Sequence, residues 1–137
     1  MNAARIVLIE DNPADVLLVE LALKENGVFC ELTKFASGRE ALSILCAPDG
    51  AADAFVPDAI LLDLNTPKSD GFEVLTTLKQ APRFSKVPIA IITSSSAYSD
   101  KHRIALHGVR YIEKLSDLDA FIATVGHAVK EMLILPA

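Results

Sequence analysis

Along the chain, short continuous apolar runs take turns with longer stretches in which apolar residues recur every three or four positions. The runs Ile6-Val7-Leu8-Ile9, Ala59-Ile60-Leu61-Leu62 and Ile89-Ala90-Ile91-Ile92 lack polar alternation, as expected of strands buried on both faces. The pattern predicts strands over residues 5–10, 29–35, 59–63 and 87–93, with a short fifth at Tyr111-Ile112-Glu113 reaching Lys114. Helical patterns fill the gaps. Asn12 caps the first helix, with Pro13 at its opening position, where a missing N–H costs nothing, and Asn26-Gly27 stops it. Val16, Leu17, Leu18, Leu21 and Ala22 supply its apolar faces, leaving Asp15, Glu20 and Lys24 outside. Ser37 with Glu40 reads as a capping box for a second helix through Cys46, and Asp70-Gly71 with Glu73 starts a third that runs to Gln80. A weak, polar fourth helix covers residues 99–107 and stops at Gly108. Ser116 with Asp119 caps the last, in which Leu118, Phe121, Ile122, Val125, Val129 and Met132 keep helical spacing. Residues 47–57 read as a loop, and Pro82 and Pro88 bracket another. Strands and helices in strict alternation predict an α/β domain whose doubly wound parallel sheet carries helices on both faces.

The ends of the apolar runs hold the chemistry. Asp63 closes a run that belongs in the core, where an ionised carboxylate is costly; only the carboxyl end of a strand, where ligands gather in open α/β sheets, accommodates it. The first strand ends in Glu10-Asp11, the fourth in Thr93-Ser94 and the fifth in Lys114. Carboxylates at one sheet edge suit a hard divalent cation such as Mg²⁺, which prefers oxygen ligands. A hydroxyl and an ammonium beside them suit phosphoryl oxygens. Each residue alone has an ordinary alternative: Glu10-Asp11 as a solvated turn, Thr93 as a loop cap, Lys114 as a surface lysine, Tyr111 as an edge aromatic. The joint placement outweighs those alternatives and predicts a phosphoryl-and-metal site.

Composition narrows the class. With 137 residues, of which 51% are hydrophobic, the chain suits one domain with a proper core and is too apolar for disorder. No apolar stretch approaches the roughly 20 residues of a membrane span, and the N-terminus lacks a signal-peptide core, so neither membrane nor export is expected. A formal net charge of −5 without a basic cluster argues against nucleic acid. Cys30 and Cys46 have neither disulfide-framework nor metal-ligand spacing, which points to a reducing cytoplasm. His102, His107 and His127 are scattered along helical patterns and read as surface histidines. The apolar tail Ile134-Leu135-Pro136-Ala137 either packs down on the domain or serves as a partner contact, the second being slightly favoured.

Taken in order, these elements resemble the receiver domain of two-component response regulators over essentially the whole chain. The resemblance rests on Glu10-Asp11, Leu61-Leu62-Asp63-Leu64-Asn65, Pro67, Asp70-Gly71 with Glu73-Val74-Leu75, Thr93, and Tyr111 three residues before Lys114. Asp11-Asn12-Pro13-Ala14-Asp15 and Asp63-Leu64-Asn65-Thr66-Pro67-Lys68 further resemble the stand-alone regulators that partner bacterial phytochromes and related hybrid kinases. The resemblance implies a flavodoxin-like (βα)5 fold with strand order 2-1-3-4-5, one receiver domain over residues 1–137 and no output domain. It implies that Asp63 accepts a phosphoryl group from a sensor histidine kinase, phytochrome-like or hybrid, in a Mg²⁺-dependent reaction. Asp11 and Asp63 would ligate Mg²⁺ directly, the Asn65 carbonyl would add a backbone ligand, and Glu10 would act largely through water. Thr93, Ser94 and Lys114 would meet the phosphoryl oxygens, and Tyr111 would move inward as Thr93 is recruited, altering the face of the fourth helix, fifth strand and fifth helix. Such a domain assists its own phosphorylation and dephosphorylation without being a turnover enzyme. It signals through a downstream protein or phosphotransfer protein, and the last helices and apolar tail are candidates for a homodimer contact.

Some residues depart from the family pattern. Leu115 stands where a proline usually follows the lysine, which loosens Lys114 or leaves its placement to another contact. Ser94 occupies a position usually held by a small residue such as alanine, and Asn65 and Ser95 sit where the family tunes acyl-phosphate hydrolysis. Two other classes compete: a receiver-like binding module that takes no phosphate, which Leu115 mildly favours, and an aspartyl phosphatase, which would want an acid where Asn65 stands.

Overall fold

The structure, a computed structural model, describes residues 3–46, 56–64, 71–94 and 98–134. Ten elements alternate as expected: β1 (Ala4–Ile9), α1 (Pro13–Glu25), β2 (Cys30–Phe35), α2 (Gly38–Leu45), β3 (Ala59–Asp63), α3 (Gly71–Gln80), β4 (Ile89–Thr93), α4 (Tyr98–Leu106), β5 (Arg110–Glu113) and α5 (Leu118–Ile134). The five strands form one parallel sheet in the order β2-β1-β3-β4-β5. The order reverses between β1 and β3, which opens a crevice beyond their carboxyl ends. Among the described residues no helix is long and apolar enough to cross a membrane.

Strand alternation divides the core in two. Val7, Ile9, Ile60, Leu62 and Ile91 point to the side of α2, α3 and α4, where they meet Leu45, Leu75, Leu78 and Ile104. Ile6, Leu8, Leu61, Ile92 and Ile112 point to the other side and pack on Val19, Leu23, Phe121, Val125 and Val129 of α1 and α5. Burial of each such aliphatic side chain contributes about 1.5–3 kcal/mol.

Local signals behave largely as predicted. The Asn12 side chain accepts from the Ala14 N–H at 2.9 Å, and Ser37 Oγ accepts from the Glu40 N–H at 3.1 Å. Three expectations are corrected. Asp117, not Ser116, caps α5, its Oδ1 accepting from the Ala120 N–H at 3.0 Å; a carboxylate there also faces the positive end of the helix. In α1 the buried residues are Val19, Ala22 and Leu23, whereas Leu17 is 66% exposed, because a helix apolar nearly all round does not announce its inner face. The segment between α3 and β4 holds a 3-10 turn at Pro82–Phe84 and buries Phe84 completely, so the proline-bracketed loop is part of the core. The loop at 47–55, the motif residues 65–70, Ser95 and the tail at 135–137 lie outside the described residues.

Candidate functional site

The same alternation that splits the core brings the charged residues together. Glu10 follows Ile6 and Leu8, Asp63 follows Ala59 and Leu61, and Lys114 follows Ile112, so all three continue the face covered by α1 and α5. They meet where the sheet runs out. The Lys114 ammonium donates to Glu10 Oε1 at 2.9 Å, to Asp15 Oδ2 at 2.9 Å and to Asp63 Oδ2 at 3.2 Å. Glu10 and Asp63 are both buried, while Asp11 beside them is exposed. The Lys114 N–H donates to the Thr93 carbonyl at 2.8 Å, tying the lysine's backbone to the end of β4.

This environment shifts two groups. Burial, followed by the hydrogen bond to Asp63, pushes the Glu10 carboxyl up to about 7 against the pull of Lys114. Burial works against the Lys114 ammonium, but the bonds to Glu10 and Asp15 and the charge of Asp63 outweigh it and raise its pKa. The physical content is an excess of buried negative charge, which one ammonium only partly compensates.

That excess is what a metal site needs. Glu10, Asp11 and Asp63 can each present an oxygen with all three oxygens within 4.8 Å of one another. Hard carboxylate oxygens around an open crevice fit a divalent cation, and the donor set suits Mg²⁺ or Mn²⁺ better than a thiolate-seeking metal. Asn65, expected to add a carbonyl, lies outside the described residues.

Thr93 and Tyr111 belong to the opposite face. Thr93 is wholly buried in the same alternation as Ile89 and Ile91, and Tyr111 packs against that core half-buried. The Tyr111 hydroxyl donates to Glu113 Oε1 at 3.4 Å, and Lys101 Nζ of α4 stands 5.5 Å from its ring centre. Burial, and then the charge of Glu113, push the phenol pKa up. Ser94 is exposed just past β4. Of the histidines, His107 departs from the surface expectation: it is half-buried, its ring lies 5.8 Å from that of Phe72, and its Nδ1 is 2.8 Å from the Arg103 carbonyl oxygen.

Asp15 is the residue that reading the sequence missed. The helical pattern leaves it on the outer face of α1, but it stands in the first turn of that helix, just past the end of β1, and pairs with Lys114 at 2.9 Å. A signal existed: Asp15 lies one helical turn beyond Asp11, and a first-turn acid next to an acid-rich strand end can reach the same cation.

The doubly wound sheet with its acids, lysine and threonine at one edge is that of a signalling receiver, and the family model of the response regulator receiver domain matches residues 6–126. The chain belongs to that family. A relative is the response regulator Rcp1 of Synechocystis sp., 35% identical over 136 residues that span 96% of this chain and 92% of Rcp1. The solved structure of the phosphorylated cyanobacterial phytochrome response regulator RcpA is similar with a TM-score of 0.86 at 34% identity, covering 97% of this chain and 96% of RcpA. The Mn²⁺-bound form of Rcp1 matches with a TM-score of 0.84 at 33% identity, covering 98% of this chain and 99% of that one. Receiver domains work in two-component systems with sensor histidine kinases.

Proposed function

We propose that this chain is a phosphoacceptor regulator in which Asp63 takes a phosphoryl group from a sensor histidine kinase. The observation that carries the reading is the buried Asp63 carboxylate, 3.2 Å from the Lys114 ammonium and clustered with Glu10 and Asp11. A carboxylate oxygen of Asp63 attacks phosphorus on the kinase's phosphohistidine. The P–N bond breaks, its electron pair returns to the imidazole, and a mixed anhydride forms on Asp63. Asp11 and Asp63, the Asn65 carbonyl and, through water, Glu10 would hold Mg²⁺. When bound, the ion supplies neutralisation of phosphoryl charge. Lys114 sits close enough to Asp63 to turn from the carboxylate to a phosphoryl oxygen, a contact that strengthens as charge accumulates.

Thr93 and Ser94 offer hydroxyls to the remaining oxygens. Withdrawal of the Thr93 side chain would open space towards which Tyr111 moves, altering the face made by α4, β5 and α5. Residues 1–137 act as one receiver domain, phosphorylated and dephosphorylated with its own assistance but turning over no small substrate. Its kinase is phytochrome-like or hybrid, in keeping with the relatives Rcp1 and RcpA. Output passes to a downstream or phosphotransfer protein, with a homodimer through α4, α5 and the tail as a further contact. The free thiols of Cys30 and Cys46 accord with the cytoplasm.

Intact mass after incubation with Mg²⁺ and acetyl phosphate tests the reading. One added phosphate is expected in the wild type and none in Asp63→Asn. Absence of an adduct with both acetyl phosphate and a phosphorylated kinase would leave a binding module in its place.

A further inference from the structure

We propose that Asp15 is a positioning residue for Lys114, holding the ammonium over the acceptor in place of the rigid turn that Leu115 fails to provide. The inference rests on the reading of Asp63 as phosphoacceptor. An ammonium has three protons, and here three carboxylates take them: Glu10, Asp15 and Asp63. Only Asp15 stands outside the group of acids whose oxygens converge for a metal. Glu10 and Asp63 are shared between Lys114 and the acids that converge for a metal, whereas the Asp15 contact is made outside that group and does not compete with metal binding.

The elements around the pair support the assignment. Asp15 lies in the first turn of α1, where the Asn12 cap and Pro13 settle the backbone, and its contact is one of the two shorter ones that the Lys114 ammonium makes. Lys114 has less support from its own chain. Its N–H is anchored to Thr93, but the chain then runs through Leu115 and Ser116 without regular structure until α5, and both residues are exposed. The side chain is therefore aimed from across the sheet edge rather than by the turn that follows it. Asp15 also limits how far the ammonium can sink between Glu10 and Asp63, where it would compete with a metal for both. An exposed first-turn carboxylate would otherwise do no more than favour the helix start. Its half-buried pairing with a lysine 99 residues further along the chain goes beyond that.

Two measurements on the full chain test this. In protein carrying ¹⁵N-labelled lysine, the Lys114 ammonium should give a slowly exchanging signal that persists when Mg²⁺ is added, and Asp15→Ala should lose it in the Mg²⁺-loaded state. The rate of phosphorylation by acetyl phosphate at saturating Mg²⁺ should fall about tenfold in Asp15→Ala, as for loss of one charge-assisted hydrogen bond. Asp15→Glu, which keeps the charge, should recover both, and Asp15→Asn, which keeps the shape, should recover neither. An unchanged ammonium signal in Asp15→Ala, or full recovery by Asp15→Asn, would overturn the role. The ammonium signal judges Asp15 even if wild type accepts no phosphate, a result that would sink the reading of Asp63 instead.

Discussion

On the face covered by α1 and α5 the sheet ends in charge: Glu10, Asp63 and Lys114, joined by Asp15 from above. On the face covered by α2 to α4 it ends in the Thr93 hydroxyl and the Tyr111 ring. The two faces are also held differently. The Asn26 amide at the end of α1 donates to the Ala22 and Ile122 carbonyls at 2.7 and 3.1 Å, pinning α1 to α5, and Gly126 leaves the room it occupies. By contrast, Ile104 is the one buried residue among the described side chains of α4, and Leu106 is 73% exposed. Lys101 over Tyr111 and Arg103 at 3.7 Å over Phe72 add surface cation–π contacts, each worth about 0.5–1 kcal/mol. The helices over the charged face are joined by buried side chains and by the Asn26 amide, whereas α4, beside the hydroxyl face, rests on one buried side chain among those described. Fewer buried apolar contacts imply a lower local opening free energy for α4 than for α5.

The largest test of this contrast removes one core side chain from each helix. Phe121→Ala on α5 is expected to cost about 3–5 kcal/mol in urea denaturation, with amide exchange accelerating throughout the domain. Ile104→Ala is expected to cost about 2–4 kcal/mol. Its signature should be local, with amides of α4 exchanging faster while α5 stays protected. Equal acceleration in α4 and α5 would break the comparison.

A smaller effect examines the α1–α5 seam. A Cβ at position 126 would collide with the Asn26 amide, so Gly126→Ala is expected to cost about 1–3 kcal/mol. Asn26→Ala in the same chain should return part of that loss, because the colliding group is gone. Strict additivity in the double-mutant cycle would show that the seam relaxes by another route.

The gentlest effect per step, spread over the window from 4.5 to about 7, is a slope with pH. Without metal, the folded state holds a Glu10 proton up to about pH 7, whereas the unfolded carboxyl releases it near 4.5. The folded protein therefore binds more protons across that window, and stability should fall as pH rises through it, by at most about 1.4 kcal/mol per pH unit. Glu10→Gln should flatten the slope, as should a divalent cation that claims the same oxygens. A slope unchanged in Glu10→Gln would place the extra proton elsewhere.

Much of this was legible in the residues. Continuous apolar runs marked β1, β3 and β4, caps at Asn12 and Ser37 marked helix starts, and the polar ends of the runs marked the site edge. Other features were not. The inner face of α1 stayed hidden because its apolar residues surround the helix, and Phe84 stayed hidden because prolines made its segment read as a plain loop. Asp15 read as an outer polar residue; its place one turn beyond Asp11 ties it to the strand-end acids but does not name the lysine 99 positions away.

The sequence by itself determined which elements form and which residue types stand at the strand ends, because periodicity, capping and strand burial are local rules. Strand order and helix placement decided the rest. Alternation sent Glu10, Asp63 and Lys114 to one face and Thr93 and Tyr111 to the other. The packing of α1 over that edge gave Lys114 its third carboxylate. Ion pairing depends on distances of a few ångströms between segments far apart in the chain, and only the folded sheet sets those distances.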